Sequence, residues 1–552
     1  MSMLNLPSWT SLKAISRLWP ICVGACLAAA SVMSIAPWGP LIAWLGVLTF
    51  VCGIMYSKHP VRRAWLAGFV FHCLSFYWLS DTLAIFGGFP KPIAMGLNLL
   101  FAAISSLQFG LFAWLALRWK DAFGPRFSCL IYGLAWFLGE YFVPRIFPWY
   151  LASSQLPWSE FCGLAEFVGI YPLSVLMIVI SVATIRAFES SSGVLGVIKA
   201  MSLPVALLVC ATSLGSWRSH LVAIDLDTAQ KVSVALIQGN LSLEKKGQAA
   251  YFDSNIDAYR DLTRKAVTQQ GAELVIWPES IMSSWMPEKI KSLEGTSWDI
   301  RTGKDAALLI GALTYRERDP RDLAAVLARM PESLDPRVRE EMRYLKYNSA
   351  TGIYPDGKIA GTYHKQVLMP FGEYLPLSER FPVLRSLSPN SGDFSVGDLS
   401  PRIDFVIPRH GERGEESITV RVGPLICYED LVANMGRKAS LAGANLLVNL
   451  TNDAWYGPTS APYQHNLLAS WRAIETRRML LRATNTGLSA IIDPFGVTKE
   501  TLDLFSRGLI ISSVPLLDTE TFYTLWGDLP ILLCAVFLLF VLILKSRWSG
   551  IS

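Results

Sequence analysis

The sequence predicts a polytopic α-helical membrane domain joined to a large α/β domain, and three observations carry that prediction. Apolar residues are unevenly spread: the first 217 residues and the segment 522–552 are dominated by apolar runs, whereas 218–521 has the balance of a soluble domain. The mean hydropathy of +0.36 and the 19 tryptophans suit a multi-pass protein with aromatic residues at the bilayer interfaces. Between 218 and 521, short apolar runs alternate with segments of helical period, the pattern of a layered α/β fold.

A bilayer-spanning helix needs about 20 mostly apolar residues. Seven N-terminal segments meet that need, at 18–36, 38–56, 64–86, 92–117, 127–145, 162–185 and 195–216, and an eighth, 522–544, closes the chain. The first two meet at Pro37 and Pro40, which favours short or tilted helices. The first run follows Lys13 and Arg17 and has the outline of a signal peptide. Six further spans behind it favour a retained helix.

The links set the orientation. Lys58, Arg62 and Arg63 follow the second span, Arg118, Lys120 and Arg126 the fourth, and Arg186 and Lys199 flank the link from sixth to seventh. Alternate links are poor in Lys and Arg, holding only Lys91 and Arg145. Positive-inside bias therefore puts the N-terminus in the cytoplasm and residues 218–521 outside. Lys545-Ser546-Arg547 then returns the C-terminus to the cytoplasm.

The outer domain opens with a strand at 232–238 (VSVALIQ) that ends in Gly239-Asn240. A helical period covers 251–270, and ELVIW at 273–277 is a buried strand stopped by Pro278. Strands are expected at 307–315, at 348–363 around a Pro355-Asp356-Gly357 turn, at 418–426, 445–450 and 487–492. Helices are expected at 430–443 and 461–482. Residues 316–346 hold 15 charged side chains in 31 positions, the composition of a solvated surface insertion.

Several function classes fall away. A net charge of +5 without a Lys/Arg cluster gives no nucleic-acid footprint. Four scattered His and one Cys in the outer domain make no metal-ligand cluster. No P-loop, dinucleotide fingerprint or GxSxG motif occurs, so no cofactor is expected. Ionisable residues in the spans are few, and Asp81, Glu140 and Glu166 lie towards span ends, which argues against a transporter.

Eight of the nine cysteines lie in or beside the apolar segments; Cys427, in GPLICYED at 423–430, is the single one in the outer domain. Cysteines in an oxidising compartment usually pair. A solitary one is either inert and buried or a reactive thiol. Cys427 ends an apolar strand ahead of a predicted helix, where backbone N–H groups, that of Tyr428 included, favour an anion. Glu429 and Asp430 read equally as first-turn caps.

A cysteine nucleophile needs a base and a charge stabiliser. His364 adjoins Lys365, and strand alternation sends the two to opposite faces. Glu279, directly after Pro278, is either a surface turn acid or a partly desolvated base. Lys365 likewise is either a solvated lysine or a fixed cation.

Taken together, WPE at 277–279, YHK…PFGEY at 363–374 and CYED at 427–430 resemble the carbon–nitrogen hydrolase (nitrilase) superfamily. The likeness runs from VALIQGN at 234–240 through NLTNDAWYG at 449–457 to RATNTG at 482–487. It implies an α-β-β-α sandwich and a Glu-Lys-Cys triad of Glu279 as general base, Lys365 as oxyanion stabiliser and Cys427 as nucleophile. Glu373 matches the second glutamate that holds the lysine, and in a membrane branch of the superfamily the Tyr and Glu after the nucleophile, here Tyr428 and Glu429, match supporting residues.

The layout of seven spans, outer domain and one span is similar to the apolipoprotein N-acyltransferase family, a membrane branch of that superfamily. This likeness implies a phospholipid acyl donor, phosphatidylethanolamine, and a diacylglyceryl apolipoprotein acceptor. It implies an inner-membrane enzyme with its catalytic domain on the periplasmic side. The outward-facing aromatic stretch 146–161 is then a candidate interfacial arm, or a plain link. Two departures touch lid and substrate contacts: EKKGQ at 244–248, where relatives often carry a Trp, and the length of 316–346. A nitrilase-type amidase tethered to the membrane is the alternative, though one anchoring helix would suffice for it.

Overall fold

The computed structural model of the chain describes residues 15–32, 38–85, 87–191, 193–242, 249–301, 306–328, 336–376, 392–411 and 414–548. The chain divides into two compact units, Met1–Val222 with Thr459–Glu475 and Thr521–Ser552, and Ala223–Pro458 with Thr476–Glu520.

The first unit is helical. Ile15–Val32 and Gly39–Tyr56 occupy the first two expected spans, and their junction at 33–37 lies outside the described residues. The third is broken into Pro60–Ser75 and Leu79–Ile85. The carbonyls freed at the break are taken up by side chains: Gln464 Nε2 donates to Ser75 O at 3.0 Å and Asn98 Nδ2 to Phe76 O at 3.3 Å. Lys91–Ser105 and Leu107–Phe123 form the fourth, Ser128–Phe142 the fifth. The sixth begins at Ile170, later than its composition suggests, because Gly169 at φ +73° interrupts the chain. Gly193–Ala200 and Ser202–Thr228 carry the seventh past residue 216. The last helix is Leu529–Trp548, set off from Phe522–Trp526 by Gly527 at φ +56°.

Among the described residues four segments are long and apolar enough to cross a membrane: Gly39–Tyr56, Lys91–Phe123, Ile170–Ser190 and Gly193–Thr228. Trp19–Ala29 and Leu529–Leu544 are shorter apolar helices. Aromatic packing holds this unit together. Phe112 and Trp136 meet at 5.1 Å and Phe50 and Phe109 at 5.5 Å, at the edge-to-face angles that ring quadrupoles favour. Within the stretch 146–161, Trp149, Tyr150 and Leu151–Gln155 are buried, while Pro157 and Glu160 are exposed.

The second unit is built on two sheets. The first holds β1 (Lys231–Gln238), β2 (Leu274–Ile276), β3 (Met282–Pro287), β4 (Ala307–Glu317), β5 (Tyr344–Ile353), β6 (Ile359–His364) and β13 (Gly508–Pro515), in the order β13-β1-β2-β4-β5-β6 with β3 on β4. The second holds β7 (Ile403–Gly411), β8 (Gly414–Ile426), β9 (Leu446–Thr451), β10 (Leu480–Thr484), β11 (Ala490–Ile492) and β12 (Thr498–Thr501), in the order β12-β11-β10-β9-β8-β7. β1, β2 and β4 run parallel, as do β8, β9 and β10. β1, β2, β9 and β10 are buried almost throughout, as are the first half of β4 and the last five residues of β8, which explains their continuous apolar runs.

The sheets pack face to face where Gly352 of β5 leaves room for Ile403 and Phe405 of β7; a Cβ there would lie 2.7 Å from Ile403. Helix Phe252–Gln270 covers the first sheet, with Trp277 Nε1 donating to Thr263 Oγ1 at 2.9 Å. Helix Ala433–Leu441 lies on the second, its Ala439 against Gly423 of β8. The layers therefore follow α-β-β-α, as expected.

Some elements depart from the expectation. The helix expected from 430 opens as a 3-10 turn, Cys427–Leu431, before Ala433–Leu441. The helix from Ala461 ends at Thr476, where Arg477 turns to φ +50°, and residues 480–484 become β10. Strands β3, β7, β12 and β13 add to the sheets beyond those expected. The charged stretch forms the ends of β4 and β5 and helices Pro320–Leu327 and Pro336–Glu341. Its residues 329–335, and EKKGQ at 244–248, lie outside the described residues.

Candidate active site

Three strand ends supply the candidate site. Ile276 closes β2 and Glu279 follows three residues later; Lys365 comes directly after β6 and Cys427 directly after β8. Ligand sites at the C-terminal ends of parallel strands are a general feature of α/β sheets.

Glu279 sits in a tight turn with Ser280 at φ +51°. Gly311 of β4 lies beneath it, and a Cβ there would be 2.3 Å from Pro278 O and 2.5 Å from Glu279 Cα. Lys365 is fixed by its own backbone: its N–H donates to Asn348 O at 2.9 Å and its carbonyl accepts from Gly397 N at 2.8 Å. Its side chain is almost wholly buried, and Nζ lies 2.7 Å from Glu373 Oε2 and 3.8 Å from Glu279 Oε1.

Asn348 of β5 completes the group. Its Nδ2 donates to Glu279 Oε1 at 2.7 Å and to Glu373 Oε1 at 2.9 Å. Met369 N holds the second oxygen of Glu373 at 2.8 Å. One ammonium and one amide thus fix two carboxylates that would otherwise repel each other.

Cys427 takes φ +50°, a strained value for a residue with a side chain, at the junction of β8 and the 3-10 turn. Asn449 Nδ2 donates to Cys427 O at 3.0 Å and braces that turn from β9. Glu429 ties the turn to the lysine strand. Its Oε2 accepts from Ile426 N at 2.8 Å, while Oε1 accepts from Tyr363 OH at 2.8 Å, Gln366 N at 2.6 Å and Val367 N at 3.0 Å. Tyr428 is buried in the same turn.

The electrostatics follow from burial and charge. Burial and the Glu279 carboxylate push the Cys427 thiol well above its ordinary value, against the opposing pull of Lys365. Burial works against the Lys365 ammonium, but Glu373, Cys427 and Glu279 outweigh it and hold the cation above its usual range. Burial pushes the Glu429 carboxyl up to about 7, against its backbone and Tyr363 donors. The site therefore holds a protonated thiol, a permanent cation and a nearby carboxylate. Such a set can transfer the thiol proton to the carboxylate as the sulfur attacks, and stabilise the resulting anion.

His364 stays out of this group. Its ring stacks on Tyr347 at 3.9 Å, its Nε2 meets Thr314 Oγ1 at 3.3 Å, and burial pushes its pKa down to about 4. Glu279, Lys365 and Glu373 are brought into contact, with Cys427 coupled to the first two. Motif reading missed Asn348; the only signal was a lone amide in an otherwise apolar and small-residue strand, YNSATGI at 347–353.

The other matched motifs build the scaffold. Gln238 Nε2 donates to Asp503 O at 2.8 Å, and its oxygen accepts from Ser489 Oγ at 2.6 Å. Asn485 Nδ2 donates to Leu241 O at 2.7 Å and its Oδ1 accepts from Tyr259 OH at 3.0 Å. QGN and RATNTG are therefore two halves of one hydrogen-bonded corner.

Known proteins resemble the chain over both of its parts. Residues 233–523 match the family described as carbon-nitrogen hydrolase, and residues 24–183 match the apolipoprotein N-acyltransferase N-terminal domain. An apolipoprotein N-acyltransferase of Pseudomonas syringae pv. tomato is 30% identical over 531 residues, covering 94% of this chain and 95% of its own. That of Geobacter metallireducens is 29% identical over 500 residues, covering 88% and 87%. Among solved structures, an amidase from Nesterenkonia sp. is 19% identical, with a TM-score of 0.33, covering 53% of this chain and 92% of its own.

Proposed function

Because the chain belongs to the apolipoprotein N-acyltransferase family, we propose that it N-acylates lipoproteins by a two-step transfer through Cys427. Glu279 takes the thiol proton as the sulfur attacks an acyl ester of a phospholipid, phosphatidylethanolamine. The tetrahedral oxyanion is stabilised by Lys365 and the Tyr428 N–H. The C–O bond breaks, the proton passes from Glu279 to the departing lyso-phospholipid oxygen, and a thioester remains. The α-amino group of an N-terminal diacylglyceryl-cysteine then attacks that thioester. Glu279 receives its proton, the C–S bond breaks, and an amide is released with the thiol restored.

The observation that carries this reading is the Lys365 ammonium at 2.7 Å from Glu373 and 3.8 Å from Glu279, electrostatically coupled to Cys427. A permanent cation in that position favours every anionic species on the path, while Glu373 and Asn348 keep Glu279 apart from it.

The membrane layout belongs to the same proposal. All eight apolar segments cross the inner membrane, and residues 218–521 lie on its periplasmic side between spans in 1–217 and 522–552. The Lys/Arg distribution of the links supports this orientation. Both substrates are then lipids of one leaflet.

The test supplies the purified protein with phosphatidylethanolamine labelled in its acyl chain and a diacylglyceryl-cysteinyl peptide. The expected product carries the label on the peptide amine and resists hydroxylamine. Label found only as free fatty acid would show a hydrolase and overturn the transferase assignment.

A further inference from the structure

Three motifs around the nucleophile meet on one buried arginine. Arg482 of β10 is fully buried, and its Nη1 contacts Asp430 Oδ2 in the Cys427–Leu431 turn. Its Nη2 lies 3.7 Å from Asp453 Oδ2, at the start of the Asp453–Tyr456 turn that follows β9. Both carboxylates are buried as completely as the arginine. Strand register explains the placement. Arg482 pairs with Asn449 of β9, and Asn449 with Leu425 of β8, so the three stand in one row below the Cys427 turn. Asn449 supports that turn from the middle of the row. A Cβ at Gly487 would lie 2.5 Å from Asp453 Oδ2, so the chain after β10 closes on the same carboxylate.

We propose that Arg482 is a positioning residue for the nucleophile, tying the Cys427 turn to the Asp453–Tyr456 turn and compensating the two carboxylates. A planar guanidinium can reach two acids at once, which a lysine cannot. Cys427 interacts electrostatically with Glu279 and Lys365 from the first sheet's strand ends and with Asp453 and Tyr456 from the turn after β9, and the Thr451 side chain of β9 favours its thiolate. Without Arg482, the buried charge beside the sulfur becomes more negative, and thiolate formation is opposed further. The two turns also lose their common anchor.

This inference rests on Cys427 being the nucleophile, and its first test needs no lipid. The full chain in detergent is treated with iodoacetamide over a pH series, and carboxamidomethylation of Cys427 is followed by peptide mass. In Arg482→Gln the half-maximal labelling pH is expected to rise by about one unit, a tenfold loss of thiolate at fixed pH. In Arg482→Gln with Asp430→Asn, which restores the charge balance, most of that shift is expected to vanish. A profile in Arg482→Gln that coincides with the parent's overturns the proposal, as does a double variant no closer to the parent than the single. Should Arg482→Gln fail to fold, Arg482→Lys carries the test. It keeps the charge but not the two-acid reach, so labelling is expected near the parent profile with acylation by phospholipid slowed about tenfold. Acylation by Arg482→Lys at the parent rate removes the positioning role. Failure of lipid acylation in the parent itself, with Cys427 labelling intact, would strike the proposed function and leave this inference standing.

Discussion

At the scale of the residue, the role proposed for Lys365 rests on its being a buried cation beside two carboxylates and electrostatically coupled to a thiol. Lys365→Arg retains the charge but brings a planar fork into a space shaped for an ammonium at 2.7 Å from Glu373. Loss of a preorganised oxyanion donor costs about 100- to 1,000-fold in kcat, and we expect acylation in this variant to fall by that order. A fall of less than threefold, roughly 0.6 kcal/mol in barrier, would show that geometry at this position is unimportant.

Glu429 gives a prediction with a sign. Its folded pKa of about 7 lies above the ordinary glutamate value, so the folded chain favours the protonated form. Its contribution to stability is fully present below the unfolded pKa and is lost as pH rises through about 7. The gap in Tm between the parent and Glu429→Gln should therefore narrow from pH 5 to pH 8. A gap that widens with pH would mean that the donors from Ile426, Tyr363, Gln366 and Val367 keep the carboxylate ionised despite its burial.

Cys427, Glu279, Lys365 and Glu429 were legible because each stands in a short motif at a strand end, and Glu373 because PFGEY follows the lysine motif closely. Asn348 was not, because its importance depends on β5 pairing with β6. That pairing brings an amide 17 residues upstream of Lys365 onto both glutamates. Arg482 was legible as part of RATNTG, but its two acids lie in other motifs and only strand register joins them.

At the scale of the element, strand β4 shapes the turn that carries Glu279, the proposed base. Gly311 passes so close to the Pro278–Glu279 peptide that any side chain there must displace it. Gly311→Ala is expected to shift Glu279 away from Cys427 and slow acylation on the order of 100-fold, since an ångström of misplacement is enough. Single-turnover acylation at saturating phospholipid measures this directly. An unchanged rate would show that Glu279 does not depend on this strand for its position.

Element boundaries were less legible than element existence. RRMLLRA at 477–483 has good helix formers throughout, so nothing local ends the helix at Thr476. Tertiary pairing with β9 converts 480–484 into a strand, and Arg477 takes the left-handed turn that makes this possible. The third apolar segment likewise reads as one run, yet breaks at Phe76–Trp78. The side chains that satisfy its carbonyls, Asn98 and Gln464, lie far along the sequence.

At the scale of the whole molecule, length and composition revealed two kinds of chain in one sequence, and charge in the links gave an orientation. That orientation can be tested with single cysteines in a chain whose own cysteines are replaced by serine. Ser254→Cys and Ser190→Cys are both exposed positions, on helix Phe252–Gln270 and at the end of Ile170–Ser190. A membrane-impermeant maleimide applied to cells with a permeable outer membrane should label the first and spare the second. The reverse pattern would invert the proposed topology.

In the proposed reaction Cys427 carries the acyl chain. Purified protein incubated with phosphatidylethanolamine and weighed intact should gain the mass of one acyl group. Hydroxylamine should remove that adduct, and Cys427→Ala should never form it. An adduct that forms normally in Cys427→Ala would mean that another residue carries the acyl chain.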